Sequence, residues 1–144
     1  MKKIALITGA NKGIGLETAR QLATSGMTVL IGSRDLGRGE TAAEALRAEG
    51  LDATAVALDV ADDASITQAA ATVDDKFDHL DVLVNNAGIY AAGSASNTTR
   101  NSLRELFETN VFGVVSVTNA FLPLLRKAEA ARIVNVSSEV ASLG

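Results

Sequence analysis

The sequence of 144 residues contains no cysteine and no tryptophan, and it has one histidine and one proline. The absence of cysteine excludes disulfides, thiolate metal sites and a cysteine nucleophile. The single imidazole, His79, is interpreted as a surface residue, and no metal site is predicted. Aromatic residues make up only 3% of the chain, whereas 47% of it is hydrophobic. The core must therefore consist mainly of Val, Leu, Ile and Ala, a mixture typical of buried parallel strands covered by helices.

The chain also lacks a surplus of positive charge and a long apolar segment. Its net charge is −4, so no nucleic-acid partner is expected. No stretch approaches the roughly 20 apolar residues of a membrane span. The short apolar run after Met1 ends at a glycine-rich turn, which favours a first strand over a signal peptide. We therefore expect a soluble cytoplasmic protein with no membrane partner.

Short apolar runs alternate with helix-like segments along the whole chain. Strands are predicted at residues 3–7, 28–31, 54–58, 81–84 and 132–136. Helices are predicted at residues 13–25, 41–49, from 62 or 63 to 77, and 101–127. This order predicts right-handed βαβ units in one domain, residues 1–144. The fold class is α/β, a Rossmann-type doubly wound parallel sheet with helices on both faces.

Some details of the helices follow from single residues. The last helix is predicted to begin near Asn97, Thr98 or Thr99, and Pro123 is expected to bend it. Apolar residues at helical spacing are expected to face the core. In the first helix and among the aromatic residues these are Ile14, Ala19, Leu22, Ala23, Phe77, Phe107, Phe112 and Phe121.

The segment between the first strand and the first helix is rich in glycine. It reads Thr8-Gly9-Ala10-Asn11-Lys12-Gly13-Ile14-Gly15. Glycines there permit a tight turn and let the backbone approach a pyrophosphate, to which the helix N-terminus offers free N–H groups. The Gly-x3-Gly-x-Gly spacing differs from the common dinucleotide fingerprint, and an ordinary strand-to-helix turn is the alternative.

Polar residues occur where the predicted strands end, and ligands of open α/β sheets bind at this carboxyl edge. These residues are Thr8, Ser33, Asp59, Asn85 and Ser138. The pattern predicts one binding site built from all five. The alternatives are a helix cap for Asp59, a strand-to-loop turn for the residues after Asn85, and a strand-end cap for Ser138.

Four motifs resemble, in their order along the chain, those of the short-chain dehydrogenase/reductase family. They are the glycine-rich turn, Asn85-Asn86-Ala87-Gly88, Asn110 within Thr109–Gly113, and Asn135-Val136-Ser137-Ser138. The Asn11-Lys12 pair and the Ala-Gly-Ile sequence at 87–89 are similar to carbonyl-reductase-like members. The resemblance implies hydride transfer between a nicotinamide cofactor and a small-molecule carbonyl or alcohol substrate.

The same resemblance implies roles for individual residues. Asp59 accepts from the adenine amino group, with Val60 beside it, and residues 85–88 form the floor beneath the adenosine. Asn110 lies at a local helix irregularity that holds a water of a proton relay, the alternative being a solvent-facing helix residue. Ser138 orients the substrate carbonyl as the catalytic serine, with Ser137 as the adjacent alternative.

The end of the second strand predicts which nicotinamide cofactor binds. An NAD site usually has an acidic residue there, whereas this chain has Ser33 followed by Arg34. Arg34 and Lys12 can pair with a 2′-phosphate, and Arg38 adds a third cation. Asp35 is the opposing signal, because its carboxylate can reach a ribose hydroxyl instead. NADP(H) is the predicted cofactor.

The family's tyrosine–lysine pair does not occur in this sequence. Tyr90 is the only tyrosine, and Ser94 stands where a Tyr-x-x-x-Lys motif needs lysine. The resemblance therefore implies that the pair lies beyond residue 144 and that the chain alone is inactive, with an apolar sheet edge exposed. A non-catalytic dinucleotide-binding module and an inactive fragment are the alternatives. Because relatives are commonly dimers or tetramers, a homo-oligomer is also considered.

Overall fold

The structure, a computed structural model, describes residues 2–88 and 99–137. Several residues named above lie outside the described residues. They are Met1, Tyr90, Ser94, Asn97, Thr98 and Ser138.

Five parallel strands form a single sheet. They are β1 (Ile4–Ile7), β2 (Thr28–Ser33), β3 (Ala53–Ala57), β4 (Val82–Asn85) and β5 (Arg132–Asn135). Their order across the sheet is β3-β2-β1-β4-β5. The chain reverses its direction of winding between β1 and β4, which is where ligands of such folds bind. The predicted doubly wound parallel sheet is confirmed.

The helices connect these strands, and one of them is divided. They are α1 (Gly13–Thr24), α2 (Leu36–Ala48), α3 (Asp63–Phe77), α4 (Arg100–Phe107) and α5 (Gly113–Arg126), with a π-helical turn at Glu108–Phe112 between the last two. The prediction of one helix over residues 101–127 was wrong in this respect. The interruption is the π turn, whereas Pro123 lies inside α5.

Side-chain caps determine where three of the helices begin. The Asp35 carboxylate accepts from the N–H of Arg38 at 3.1 Å, so α2 starts at Leu36 rather than at the predicted residue 41. Asp62 accepts from the N–H groups of the first turn of α3, and Thr99 accepts from that of Ser102 at the start of α4.

The core is divided between the two faces of the sheet. Leu6 packs with the apolar side of α3 and α5, including Phe121, while Ile7 packs with that of α1 and α2, including Leu46. Consecutive residues of a strand point to opposite faces, so a fully apolar β1 serves both layers. The predicted helices on both faces are therefore confirmed. None of the described helices has the length and apolarity that a membrane crossing requires.

Three residues that were expected in the core are exposed. Ile14 is 69% exposed because the inward positions of α1 are taken by Gly15, Ala19 and Ala23, a row to which Ile14 does not belong. Phe107 and Phe112 are each about half exposed, since the π turn changes the helical period between them. Phe121 is fully buried and Phe77 packs against the core, as predicted.

His79 is not the surface residue that the sequence suggested. Its side chain is only 20% exposed, and Nε2 lies 3.0 Å from Asp81 Oδ2. The same carboxylate oxygen accepts from the buried N–H of Ile4 at 2.8 Å. His79 and Asp81 therefore close the amino end of the β1–β4 pair, opposite to the edge with the predicted site.

Strand β5 forms one side of the sheet. It pairs with β4, and among the described strands it has no second neighbour. Ile133 and Val134 point to opposite faces and are 44% and 47% exposed, so neither face of this strand is well covered. The exposed apolar sheet edge that the family resemblance implied is therefore found among the described residues.

Candidate cofactor-binding site

The predicted site residues lie along the carboxyl edge of the sheet. Thr8 follows β1, Ser33 ends β2, Asp59 follows β3 and Asn85 ends β4. Parallel strands all place their carboxyl ends at one edge, and this arrangement brings the residues together from distant parts of the sequence. Asn11 and Lys12 lie in the turn between β1 and α1.

The turn after β1 and the loop after β4 are joined by hydrogen bonds in both directions. Thr8, which is 1% exposed, accepts at Oγ1 from the N–H groups of Asn86 and Ala87, both at 2.9 Å. In return, Asn86 Nδ2 donates to the carbonyls of Thr8 and Gly9, both at 3.2 Å. The glycine-rich turn and the Asn85–Gly88 loop are thus held together by four hydrogen bonds.

Glycine is required where these two segments touch. A Cβ on Gly9 would lie 2.9 Å from the Cα of Ala87, and Gly9 has a φ of +60°. A Cβ on Gly15 would lie 2.5 Å from Nδ2 of Asn86. Both distances are shorter than real Cβ contacts allow, so neither position has room for a side chain. Gly13 has open space but a φ of +62°, which disfavours other residues.

The start of α1 differs from those of α2, α3 and α4. Its N-cap residue, Lys12, has extended backbone and makes no side-chain capping hydrogen bond, whereas Asp35, Asp62 and Thr99 cap the other three. The first N–H groups of α1 therefore have no side-chain acceptor in the described part of the chain. Together with the helix dipole they favour an anion at this position.

Asp59 lies in a tight loop after β3. Its Oδ1 accepts from the N–H of Ala61 at 3.0 Å, and its own N–H donates to Ser65 Oγ at 2.8 Å. The N-cap of α3 is Asp62, so the alternative of a helix cap at Asp59 is wrong. Asp59 is half buried, and its Oδ2 has no hydrogen-bond partner among the described residues. Val60, the next residue, is buried in the core.

The end of β2 carries positive charge near the surface. The Ser33 hydroxyl donates to the carbonyl of Asp35 at 2.8 Å and is buried. The Asp35 carboxylate caps α2 and lies 4.0 Å from the Arg38 guanidinium. Arg34 and Lys12 are exposed, and neither forms an ion pair within residues 2–88 and 99–137.

A polar contact that the sequence did not predict joins β4 to its neighbours. Asn85 Nδ2 donates to Asn135 Oδ1 at 2.9 Å and to Thr118 Oγ1 of α5 at 3.2 Å. Asn85 directly follows the predicted strand 81–84, and Asn135 lies one residue before the end of the predicted strand 132–136, so the sequence indicated only that both lie near the carboxyl edge. The hydrogen bond to Thr118 depends on how α5 packs on the sheet, which the sequence does not indicate.

Asn110 lies in the π turn and is exposed. The helix irregularity that the family resemblance implied is therefore present. A Cβ built on Gly88 would lie 3.2 Å from Asn110 Oδ1, so the amide is next to the loop that follows β4. Ser137 is exposed just after β5, and Ser138 lies outside the described residues.

Comparison with known proteins agrees with this geometry. A family model described as short chain dehydrogenase matches residues 3–144. The chain belongs to the short-chain dehydrogenase family. The short-chain dehydrogenase anuI of Penicillium roqueforti is 44% identical to it, and the match covers 99% of this chain and 58% of that relative.

Solved structures of the family have the same fold. A gluconate 5-dehydrogenase from Burkholderia cenocepacia, determined in complex with NADP and tartrate, matches with a TM-score of 0.91 at 31% identity. That match covers 100% of this chain and 57% of the other. Menthone neomenthol reductase from Mentha piperita matches with a TM-score of 0.90 at 38% identity, over 99% of this chain and 62% of the other. The short-chain dehydrogenase chain described here thus spans little more than half the length of these relatives.

Proposed function

We propose that the protein is an NADP(H)-dependent oxidoreductase that transfers a hydride between the cofactor and a small carbonyl or alcohol compound. In the reducing direction the hydride goes to the carbonyl carbon and a proton goes to the oxygen. The main support is the pair of hydrogen bonds between Thr8 and Asn86, which lies beside a start of α1 that has no side-chain cap. Family membership and the NADP-bound relative support the same function.

The chain's own residues hold the cofactor in this proposal. The N–H groups from Gly13 to Gly15 receive the pyrophosphate, with Gly9 and Asn11 on the turn around it. Asp59 accepts from the adenine amino group through the oxygen that the loop leaves unused, and Val60 lies beside the base. The floor beneath the adenosine is formed by the loop Asn85, Asn86, Ala87 and Gly88.

The preference for NADP(H) over NAD(H) depends on two exposed cations. Arg34 and Lys12 pair with the 2′-phosphate, and a guanidinium does so with two parallel hydrogen bonds. The opposing signal from Asp35 is weakened in the structure, because that carboxylate already caps α2 and faces Arg38.

Catalysis in the proposal uses Ser138 and Asn110. Ser138 donates to the substrate oxygen as negative charge develops there, and Asn110 holds a water that relays the proton. The proton donor and its lysine partner lie beyond residue 144, so residues 1–144 act as the cofactor-binding domain and do not turn over substrate alone. We place the enzyme in the cytoplasm.

Association into a homo-oligomer is part of the proposal. Exposed apolar side chains recur along α4, the π turn and the start of α5. They are Leu103, Phe107, Val111, Phe112 and Val115. Single exposed apolar residues are common, but five of them between residues 103 and 115, with the rings of Phe107 and Phe112 6.4 Å apart, favour an interface.

A titration of residues 1–144 with NADPH and NADH tests the binding part. NADPH should bind more tightly, and Arg34→Ala should weaken NADPH by about 1–3 kcal/mol while leaving NADH nearly unchanged. Arg126→Ala, at an exposed position on α5, is the matched control and should change neither. Equal affinity for both cofactors would reject the NADP preference, and binding of neither would reject the function.

The catalytic part needs a form of the protein that contains a Tyr-x-x-x-Lys segment. In that form Ser138→Ala should lower kcat by about a hundredfold or more without changing the Kd for NADPH. Normal turnover in the variant would point to Ser137 instead. Cofactor binding without any turnover in the unaltered form would favour the non-catalytic module.

A further inference from the structure

Gly113 lies where the π turn meets the loop after β3. It is buried, it begins α5, and its N–H donates to the carbonyl of Glu108, which closes the π turn. A Cβ on Gly113 would lie 2.8 Å from the carbonyl oxygen of Val60 and 3.1 Å from its Cγ2. The first distance is too short for any real Cβ, and the atom concerned belongs to the backbone. An alanine at this position would therefore displace either the helix or the loop.

The loop on the other side of this contact has little freedom to move away. The N–H of Asp59 is held by Ser65, that of Ala61 by the Asp59 carboxylate, and that of Asp62 by the Asp59 carbonyl. Val60 itself is buried in the core. A larger residue at 113 would therefore strain the hydrogen bonds of this loop and displace the π turn, which contains Asn110.

The π turn also contacts the loop after β4. The side chain of Asn110 extends to Gly88, where a built Cβ would lie 3.2 Å from Oδ1. One short irregular turn therefore touches two loops from different strands, through Gly113 on one side and Asn110 on the other. Helix propensity alone does not favour glycine here, because Gly is about 1 kcal/mol worse than Ala inside a helix.

We propose that Gly113 is a positioning residue that couples the Asp59–Val60 loop to the side chain of Asn110. Because Gly113 has no side chain, the Val60 carbonyl can lie against the end of the π turn. This contact determines the position of Asn110 relative to the adenosine site. The inference rests on the proposed function for the roles of Asp59 and Asn110. The mechanical link between the two loops stands on the contacts alone.

Gly113→Ala in residues 1–144 tests the proposal, with Asn119→Ala at an exposed position of the same helix as the control. The variant should weaken both NADPH and 2′,5′-ADP, which carries only the adenosine half, by roughly tenfold to a hundredfold. In the ligand-free protein, the amide resonances of Val60 and Ala61 should shift together with the side-chain amide of Asn110. The control should leave affinities and these resonances unchanged.

A folded Gly113→Ala variant with unchanged affinities and shifts confined to α5 would overturn the proposal. Val60→Ala covers the case in which Gly113→Ala does not fold, because it removes Cγ2, the side-chain part of the contact with Gly113. It should move the Asn110 side-chain amide resonance, and an unmoved resonance would also overturn the proposal. If the unaltered chain binds neither ligand, the proposed function fails, while the paired resonance shifts still decide the coupling.

Discussion

Asn85 and Asn135 occupy paired positions at the carboxyl ends of β4 and β5, and the amide nitrogen of Asn85 lies 2.9 Å from Oδ1 of Asn135. The backbone continues the connection, since the N–H of Val136 donates to the carbonyl of Asn85 at 3.0 Å. Side chain and backbone together fix the direction in which the chain leaves β5. Ser137 follows Val136 in that direction.

We expect the Asn85–Asn135 contact to contribute measurably to stability. Asn135→Ala removes one acceptor of the Asn85 amide and should lower the free energy of unfolding by about 0.5–1.5 kcal/mol. A double-mutant cycle with Asn85→Ala, measured by urea unfolding, should give a coupling energy above about 0.5 kcal/mol. Strictly additive effects would mean that the two side chains do not stabilise the ends of β4 and β5.

Thr8→Val should be more damaging than its small change of shape suggests. The substitution removes Oγ1, the acceptor for the part-buried N–H groups of Asn86 and Ala87. Leaving these donors without a partner should lower the free energy of unfolding by about 1–3 kcal/mol. Affinity for NADPH should fall with it, because the loop after β4 is released. Thr72→Val, on the exposed side of α3, is the control and should stay within about 0.5 kcal/mol. Equal stability of the two variants would contradict this account.

Asp52 should make stability depend on acid pH. The Thr28 hydroxyl, 2.6 Å from the carboxylate, lowers the pKa of Asp52, burial opposes this, and Lys2 lowers the pKa further. A carboxyl group with a lowered pKa stabilises the fold above the pKa of the unfolded chain, about 3.9, and this contribution is lost as pH falls through the folded pKa. Thr28→Val should raise the pKa of Asp52 towards that of the unfolded chain, so the variant should be less stable than the unaltered chain near pH 5, and the difference should shrink as pH falls towards about 2.

An NMR titration of the Asp52 carboxyl carbon, together with Tm measured between about pH 2 and 5, checks this prediction. Thr72→Val again serves as the control, because its hydroxyl contacts only the helix backbone. An Asp52 pKa that is the same in both variants would show that Thr28 is not the main cause of the shift.

The exposed apolar row on α4 and α5 should mediate self-association. Phe107 is 51% exposed and its ring lies 6.4 Å from that of Phe112, so Phe107→Lys places a charge within the row without disturbing the core. We expect the variant to be of lower oligomeric state by light scattering, with its stability as a monomer within about 0.5 kcal/mol. Leu36→Lys, equally exposed on α2, should leave the assembly unchanged. A monomeric unaltered chain would refute the proposed interface.

The sequence predicted the sheet well because each strand is a short apolar run bounded by turn residues. It predicted the glycine turn and the Asn85–Gly88 loop because these motifs are local. The apolar spacing from Asn101 onward did not predict the π turn, since it is typical of a continuous helix, whereas the family resemblance did imply an irregularity at Asn110. The start of α2 is encoded locally, because Asp35 is a good N-cap, and the predicted start at residue 41 missed this signal.

Contacts between distant segments account for the other failures. His79 is part buried because Asp81 and the amino end of β1 lie beside it, and this depends on how β4 pairs. The contact of Thr118 with Asn85 depends on the packing of α5 against β4, and the helical pattern around Thr118 gives no sign of it. No periodicity encodes the contacts of Asp81 with Ile4 and of Asn85 with Thr118, because they join residues 77 and 33 positions apart.

Because both faces of β5 are poorly covered, the strands of the sheet should differ in the free energy needed to open their hydrogen bonds. Strand β1 has neighbours on both sides and three of its four residues are 0% exposed, whereas Ile133 and Val134 of β5 remain near half exposure. The free energy needed to break a backbone hydrogen bond rises with local burial. Among the five strands, hydrogen exchange should therefore be slowest in β1 and fastest in β5. The segment leading to Ser137 would then open before the adenosine half of the site does, so cofactor binding should persist under conditions in which β5 has already opened.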